Sequence, residues 1–261
     1  MRRMATQASQ PRDRAVTAAV LIIGNEILSG RTQDTNLNHI ARTVGEWGIQ
    51  VREARVIPDV EAEVVGAVNE MRAAHDYVFT TGGIGPTHDD ITADCIALAF
   101  GVELVISPEI AAVIERRPAP PDVMQSRMRM ARIPAGATLI SNSTGGPQGF
   151  RMANVLVMAG IPAVMRAMLA SLEGELQGGL IVRSRSVSAY LGESQIAGPL
   201  AAIQARYPDV DLGSYPFFRD DQYGASLVMR GTDPMRLDAI LEEVQAAIVA
   251  AGETPHDVRS E

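Results

Sequence analysis

The fold is decided by YVFTTGGIGPTHDD, residues 77–90, where an apolar run leads directly into a glycine-rich loop. The run Tyr77–Thr80 is typical of a strand that is buried on both faces of a sheet. The residues behind the loop, Ile91–Phe100, have the pattern of a helix, and Gly101 is where that helix is expected to stop. A strand, a tight loop and a helix in this order form the repeating unit of an α/β domain.

The same unit recurs on the amino-terminal side of the loop. Ala18–Ile23 predicts another buried strand, Leu37–Val44 predicts a helix, and Ile49–Ile57 predicts a second strand. Asp59 stands at the N-cap position of a further helix, whose apolar residues from Val60 to Met71 recur at helical spacing. Because strands and helices alternate, we predict an α/β domain with a mostly parallel sheet and helices on both faces.

The rest of the chain predicts the end of this domain and a second, smaller one. Ala137–Ile140 and Val155–Met158 look like two more strands, separated by the loop SNSTGGPQGF, and Pro162–Leu172 is a predicted helix. Near Gly178 the pattern restarts as β-α-β-β-α, which is an α+β arrangement. We therefore expect a disordered tail over residues 1–16, the α/β domain over 17–177 and a small α+β domain over 178–261.

Composition excludes several classes of function. A net charge of −8 argues against a nucleic-acid binder, although the backbone N–H groups of one loop can still hold a small phosphorylated ligand. The single cysteine, Cys95, cannot form an internal disulfide; it is expected to be a buried, inert thiol in a cytoplasmic protein. No apolar run reaches the roughly 18 residues that cross a bilayer, so no membrane partner is expected.

The glycine-rich loop is the strongest candidate for a ligand site. Its glycines permit positive φ and close approach of the backbone, and it enters a helix whose N-terminus favours phosphate. The alternative is that an aspartate merely caps the helix while the glycines merely turn the chain. A cap alone, however, does not need three glycines, a proline and a second aspartate. The residues expected to contact a ligand here are Thr81, Gly82, Gly83, Gly85, Pro86, Asp89 and Asp90.

Two loops that follow neighbouring strands add further candidates. In GNEILSGRTQDTN, Thr35 is the expected helix cap, and a capped loop without a ligand explains this segment equally well. Asp59, in VIPD, follows the next strand. Because the carboxyl ends of parallel strands share one edge, Asp59 and Asp90 are expected to face a single crevice. The ligand contacts expected from the first of these loops are Gly24, Glu26 and Asn36.

Together these motifs resemble the molybdopterin-binding domain of the MoaB/MogA type. GNEILSG, the Thr35–Asn36 pair, VIPD and TTGGIGPTHDD follow one another in the order and spacing of that family. The Thr-His-Asp-Asp ending and ARIPAGATLISNSTGGPQGF are similar to its CinA-like (competence/damage-inducible) branch. GESQIAGPLAAIQARYPDVDLGSYP is similar to the small domain that follows in that branch, so the resemblance extends almost to the C-terminus.

The resemblance implies a phosphorylated ligand. Relatives bind molybdopterin, some adenylylate its phosphate, and the CinA-like domain is similar to enzymes that use a divalent metal, Mg or Co, to hydrolyse ADP-ribose or FAD. Asp59 and Asp90 match the two aspartates of the molybdopterin branch, which implies that both are catalytic and hold the metal. Ser143 and Gly149 in the later motif are further expected ligand contacts, and relatives imply a homodimer.

One departure from the CinA-like pattern leaves the activity open. In place of Pro-Gly-x-Pro-x-Glu-Met the chain has AGIPAVM, with Ala159 for the first proline and Val164 for the glutamate. Three interpretations therefore stand: a metal-dependent pyrophosphatase of ADP-ribose-like dinucleotides, a molybdopterin adenylyltransferase of molybdenum cofactor biosynthesis, and a binding module without turnover.

An amphipathic methionine run lies outside these motifs. Met124, Met128 and Met130 alternate with arginines, and we expect a packing face rather than a lid over the site. Within this run, Arg127 is the residue expected to lean over a phosphate.

Overall fold

The computed structural model describes residues 14–219 and 221–260. The chain divides into two compact units between Leu180 and Ile181. Residues 1–13 of the expected tail lie outside the described part, but the end of that tail is not disordered. Val16 is fully buried as the first residue of a strand, and Arg14 forms an ion pair with Asp76. The first unit is therefore ordered from its first strand at residue 16.

The first unit alternates strands and helices as the sequence predicts. Its elements are β1 (Val16–Ile23), α1 (Asn25–Leu28), α2 (Asn36–Glu46), β2 (Ile49–Ile57), α3 (Glu61–Ala74), β3 (Tyr77–Thr81), α4 (Thr92–Phe100), β4 (Leu104–Ile106), α5 (Pro108–Glu115), α6 (Pro121–Met128), a 3-10 helix (Arg129–Ala131), β5 (Arg132–Pro134), β6 (Thr138–Ile140), β7 (Gly149–Met152), β8 (Val155–Met158) and α7 (Pro162–Ala170).

The main sheet has six strands in the order β2-β1-β3-β8-β7-β6. The pairs β2–β1, β1–β3 and β3–β8 are parallel, so four strands end at the same edge of the sheet. The strand β7 is antiparallel to both of its neighbours, β8 and β6. The mostly parallel α/β sheet predicted from the sequence is thus confirmed.

Helices cover both faces of this sheet. Alternate residues of β1 point to opposite sides, as the pleat requires. On one face, Leu21 and Ile23 pack with α3, α4 and α5. On the other face, Val20 and Ile22 pack with α2 and α7. Each face buries a separate hydrophobic cluster, and these two clusters hold the strand ends in fixed positions.

Two local expectations are wrong, and a third is confirmed only in part. The loop SNSTGGPQGF contains the start of β7, because Gly149 lies so close to the carbonyl oxygen of Val157 that a Cβ would be 2.4 Å from it. Asp59 does not cap α3, which has Val60 at its N-cap. Thr35 is the N-cap residue of α2, as expected, but its side chain makes no capping hydrogen bond; the backbone N–H of Leu37 instead donates to Oδ1 of Asp34 at 2.9 Å.

The segment between α4 and β6 forms a small insertion on the main sheet. The strands β4 and β5 pair antiparallel, and the helices α5 and α6 lie between them in the chain. Met124, Met128 and Met130 pack against the same cluster as α3 and α4, which confirms the packing face predicted from the sequence. The insertion is therefore anchored through its methionines.

The second unit is an α+β domain with its own core. Its four-stranded sheet has the order β10-β11-β9-β12, and each neighbouring pair is antiparallel. Both helices contribute to one hydrophobic cluster with the sheet. The sequence pattern misses β12, a short and mostly exposed strand. Its elements are β9 (Arg183–Ala189), α8 (Glu193–Arg206), β10 (Asp211–Arg219), β11 (Gln222–Gly231), α9 (Pro234–Ala250) and β12 (His256–Ser260). Across the described ranges no helix combines the length and apolarity that crossing a membrane requires.

Cys95 provides a first test of the packing under the glycine loop. It is fully buried in α4, and this burial raises the pKa of its thiol to about 12. At pH 8 only about one thiol in ten thousand is then ionised, and the thiolate is the reactive form. We expect a thiol reagent at pH 8 to leave the native protein unmodified over minutes and to modify one thiol after denaturation. Rapid labelling of the native protein would contradict the burial of α4.

Candidate functional site

A cleft of about 560 Å³ opens at the carboxyl edge of the parallel strands. One wall is the glycine loop that joins β3 to α4, and a second is the β8–α7 connection from Ala159 to Val164. Glu26, from the segment after β1, lines it as well. Three neighbouring parallel strands therefore deliver their following loops to one cavity, as expected for an open α/β sheet.

The first two glycines of the loop are required by geometry. Gly82 has φ +102°, and a Cβ there would lie 2.1 Å from the backbone oxygen of Ile23 at the end of β1. Gly83 has φ +66°, and a Cβ there would lie 2.2 Å from Oγ1 of Thr92. That hydroxyl donates to the carbonyl of Gly82 at 2.9 Å. The loop is thus pressed against β1 and against the start of α4.

Asp90 holds the far end of the loop. Its Oδ1 accepts a hydrogen bond from the backbone N–H of Gly85 at 2.7 Å. Its Oδ2 accepts from the backbone N–H of Thr87 at 2.8 Å and also from the hydroxyl of that residue. A carboxylate offers about four lone-pair positions, so these three bonds leave about one of them for a ligand. Asp90 lines the cleft and shapes the loop at the same time.

Part of the loop has backbone donors that are not used by any acceptor in the part of the chain that the structure describes. Gly82 donates its N–H to the carbonyl of Met158, while the N–H groups of Gly85 and Thr87 are taken by Asp90. Within residues 14–219 and 221–260, the N–H groups of Gly83 and Ile84 donate to no acceptor. Both residues line the cleft, and Gly83 lies against the start of α4, where its carbonyl accepts from the backbone N–H of Thr92 at 3.0 Å. Unused N–H groups at such a position are the usual receptor for an anion.

Asp59 and Asp90 do not share the cleft. Asp90 lines it, but Asp59 does not; its Oδ2 accepts a hydrogen bond from the backbone N–H of Asn25 at 2.9 Å. Asn25 begins α1, the short helix that carries Glu26. Asp59 thereby fixes the segment that brings Glu26 to the cleft, and the carboxylate that joins Asp90 in the cleft is Glu26.

Asn36 lies in a side pocket of about 50 Å³ that shares Glu26 and Gly82 with the cleft. It is only 4% exposed, and its Nδ2 donates to the carbonyl of Gly160 at 2.8 Å. Gly160 in turn packs against Gly82, since a Cβ there would lie 3.3 Å from the Cα of Gly82. In the described chain no donor reaches the buried Oδ1 of Asn36. Asn36 therefore connects α2 to the β8–α7 connection and, through it, to the glycine loop.

Replacing Asn36 with aspartate tests this connection. The substitution removes the amide donor, turns a carboxylate oxygen toward the carbonyl of Gly160, and buries a charge. We expect the free energy of unfolding to fall by about 3 kcal/mol. Asn38→Asp is the matched control, because Asn38 is exposed in the same first turn of α2 and shares the favourable helix-dipole effect. Equal stability of the two variants in a denaturant titration would show that the Asn36–Gly160 bond contributes nothing.

The structure adds a wall that the sequence did not indicate. Arg129, Met130 and Arg132, from the insertion, line the cleft. Arg127, the arginine expected over a phosphate, does not line it; its side chain donates to the carbonyl of Arg117 at 2.9 Å. The alternation of methionine and arginine in the sequence does not indicate which arginine lines the cleft. A short 3-10 helix follows α6 and changes the direction of the side chains.

The other expected contacts are divided between the cleft and its surroundings. Asp89 and Ser143 are exposed and do not line either pocket, although Asn142 and Thr144, the neighbours of Ser143, do line the cleft. Gly24 and Gly149 are buried in the framework beside it. A Cβ at Gly24 would lie 2.6 Å from the Glu26 carboxylate, so Gly24 leaves room for that side chain. The expected contacts that do line a pocket are Glu26, Asn36, Thr81, Gly82, Gly83, Gly85, Pro86 and Asp90.

The cleft offers a divalent ion an incomplete set of ligands. Among the described residues, the carboxylates that line it are those of Glu26 and Asp90, and no group of three or more His, Cys, Asp or Glu side chains is placed to hold a metal. Val164, which stands where the resemblance implies a glutamate, also lines the cleft and contributes no carboxylate to its wall. Mg²⁺ commonly binds through one or two carboxylates together with substrate phosphates and water. These residues fit an ion that binds together with a phosphorylated ligand.

A glycine loop with unused backbone donors and a largely apolar cavity at the carboxyl edge of a parallel sheet are typical of α/β domains with a small-ligand site. The chain belongs to the probable molybdopterin binding domain family, which matches residues 19–177. Within that family it is a CinA-like member, as the motifs indicated. Residues 181–255 match the middle domain of FAD synthase.

Individual relatives agree with this assignment. A protein of Archaeoglobus fulgidus is 32% identical over 197 residues, which cover 76% of this chain and 84% of the relative. A CinA-like protein of Desulfosudis oleivorans is 34% identical over 75% of this chain but only 51% of its own length, so the chain spans about half of that relative. The crystal structure of the protein CinA, of unknown function, from Thermoplasma acidophilum has a TM-score of 0.56 at 32% identity, covering 62% of this chain and 98% of that one.

Proposed function

We propose that the cleft binds a small phosphorylated ligand, either molybdopterin or a dinucleotide such as ADP-ribose or FAD. The observation that carries this proposal is the glycine loop. Gly83 and Ile84 present backbone N–H groups that no described acceptor uses, and they do so in the wall of a 560 Å³ cavity. Such donors suit a phosphate, because no hydrogen bond within the protein has to break when the ligand binds.

The apolar part of the cleft supports a ligand that carries a ring system. Ile84, Met130, Phe150 and Met168 line it, and Phe150 and Met168 belong to the buried clusters under the sheet faces. Small-molecule sites commonly combine such a surface with a few polar groups that fix orientation. A nucleotide or a pterin phosphate has both parts, whereas free phosphate has only one.

Hydrolysis of a pyrophosphate link is the reaction we propose for this cleft when a divalent ion is bound. Water would add to one phosphorus atom of ADP-ribose, giving AMP and ribose 5-phosphate. Glu26 and Asp90 are the residues that would hold the ion beside the phosphates, where it would neutralise charge that develops during hydrolysis. Val164 favours the alternative of a binding module without turnover. It lines the same cleft, and its apolar side chain cannot bind a metal ion as the glutamate expected at this position could.

A ligand panel separates these functions. ADP-ribose, FAD, NAD and molybdopterin are offered with EDTA, with Mg²⁺ or with Co²⁺, and both thermal stabilisation and formation of AMP are measured. A ligand at 100 times its Kd stabilises the folded state by about 2.7 kcal/mol, which is readily detected. Stabilisation with metal-dependent AMP formation supports the pyrophosphatase, and stabilisation without it supports the binding module. If no phosphorylated ligand stabilises the protein, the proposed function is wrong.

We also propose that the protein is a homodimer, because the family that it resembles contains proteins that form homo-oligomers. The expected result of multi-angle light scattering at micromolar concentration is twice the 27.9 kDa mass of the chain. A mass that stays at that of one chain across the concentration range would contradict the proposal.

A further inference from the structure

We propose that Arg129 forms a second anion subsite in the cleft, which receives the second phosphate of a ligand whose two phosphates are linked. The inference rests on the proposed function, since it presumes that the glycine loop binds the first phosphate. Its consequence is selectivity: the cleft distinguishes a diphosphate-linked nucleotide from a monophosphate.

Arg129 is a cation that pairs with none of the described residues. It makes no hydrogen bond or ion pair with any residue in 14–219 or 221–260, and its Nε is buried without an acceptor. The other arginine of this wall, Arg132, gives Nη1 and Nη2 to the carboxylate of Asp94 at 3.1 and 2.7 Å, so that among the described residues only its Nε is left without an acceptor. A buried guanidinium N–H normally has an acceptor, so the one at Arg129 is expected to come from a ligand.

The framework holds Arg129 in a fixed position. It begins the 3-10 helix, which ends at the fully buried Ala131, and the carbonyl of Ala131 accepts from the backbone N–H of Ser107 at 2.8 Å. The Arg132–Asp94 pair then ties this segment to the first turn of α4. The glycine loop is also bonded to the start of α4, where the backbone N–H of Thr92 donates to the carbonyl of Gly83, so both sets of donors are attached to the same helix.

The cleft also needs the positive charge. Glu26 and Asp90 both line it, and their carboxylates repel an incoming diphosphate. With Arg132 already paired to Asp94, Arg129 is the cleft-lining cation that remains free among the described residues. The planar fork of a guanidinium can bind two phosphate oxygens at once, which suits the bridging region of a diphosphate.

A second unused atom indicates what else the ligand carries. Oε1 of Gln148 is buried in the described chain without a hydrogen-bond donor, and Gln148 lines the same cleft. An amide oxygen accepts but does not donate, so it suits a hydroxyl or an amino group rather than a phosphate. A nucleotide sugar supplies hydroxyl groups beside its phosphates.

The test compares AMP, ADP and ADP-ribose as probes by isothermal titration calorimetry, with EDTA present so that the ligands stay intact. We expect the wild type to bind ADP-ribose at least about tenfold more tightly than AMP. Arg129→Gln should weaken ADP-ribose and ADP by about 10- to 100-fold and change AMP by less than about threefold. Arg129→Lys, which keeps the charge without the fork, should fall between them. Arg127→Gln is the matched control, since it removes an arginine of the same segment that does not line the cleft.

The outcomes separate the two proposals. Equal weakening of AMP and ADP-ribose by Arg129→Gln, or no weakening of either, overturns the second subsite while the glycine loop remains a ligand site. Failure of the wild type to bind any of the three probes, both with EDTA and with Mg²⁺ or Co²⁺, overturns the proposed nucleotide ligand and the subsite with it. Unfolding of Arg129→Gln also overturns the subsite, because it would show that the side chain is needed for folding although it pairs with no residue in the described ranges.

Discussion

Replacing Gly82 with alanine is expected to destabilise the first unit by about 2–5 kcal/mol and to abolish ligand binding. A residue with a side chain is strained by about 1–2 kcal/mol at a left-handed φ, and Gly82 lies at +102°. The new Cβ would also lie 2.1 Å from the backbone oxygen of Ile23, which cannot move away as a flexible side chain can. Overpacking of this kind costs about 1–3 kcal/mol or more.

Gly136→Ala separates these two contributions. Gly136 has φ +85°, but a Cβ there would meet nothing within 4 Å, so this variant carries the backbone strain alone. Its expected loss is about 1–2 kcal/mol. The single tryptophan, Trp47, lies in the first unit, so its fluorescence in a denaturant titration follows that unit without contribution from the second. Equal losses in the two variants would mean that the loop does not press against β1.

Asp90→Asn is expected to weaken ligand binding at least about tenfold and to lower stability by about 2 kcal/mol. The carboxylate accepts three hydrogen bonds, from the backbone N–H groups of Gly85 and Thr87 and from the Thr87 hydroxyl. An amide has one acceptor oxygen and an NH₂ group, so one part of the loop would face a donor instead of an acceptor. Bonds to a charged acceptor contribute about 1.5–3 kcal/mol each, and part of this is lost. Metal-dependent hydrolysis, as proposed, should fall about 100-fold.

Asp89→Asn is the control for this variant. Asp89 is the neighbouring residue and carries the same charge, but it is exposed and does not line the cleft. We expect it to alter affinity for ADP-ribose less than twofold, as is usual for an exposed charge. If both variants bind with wild-type affinity, Asp90 acts only in shaping a loop that the ligand does not contact.

The fold was largely predictable because its signals are local. A buried parallel strand is a continuous apolar run, and β8 was predicted with its observed ends at Val155 and Met158. The helix ends were also readable where a glycine is required, as at Gly101 with φ +64°. The strand β7 was not predictable from the sequence. It begins at Gly149 in a glycine-rich segment that is typical of a turn, and only the contact of Gly149 with Val157 shows that it is a strand.

The candidate site was predictable only in part, because a cleft is assembled from distant segments. The glycine loop was predictable from its residue types. Glu26 and Asn36 were predictable from their positions after β1. Arg129 gave no such signal, since its exposure to the cleft depends on the pairing of β4 with β5 and on the Arg132–Asp94 bond. Asp59 shows the converse: its position after β2 was read correctly, but its hydrogen bond to Asn25 depends on the path of another loop.

The contacts of Gly82 also have a consequence for synthesis of the protein. The glycine loop is pressed against Ile23, made long before it, and against Gly160, made long after it. Until β8 has left the ribosome, β3 is an open edge of the sheet whose five residues are all buried in the finished protein. Unpaired apolar edges of this kind recruit other chains. A nascent or truncated chain that ends before Val155 is therefore expected to aggregate and not to form the ligand site. Ligand added during translation should not prevent this aggregation.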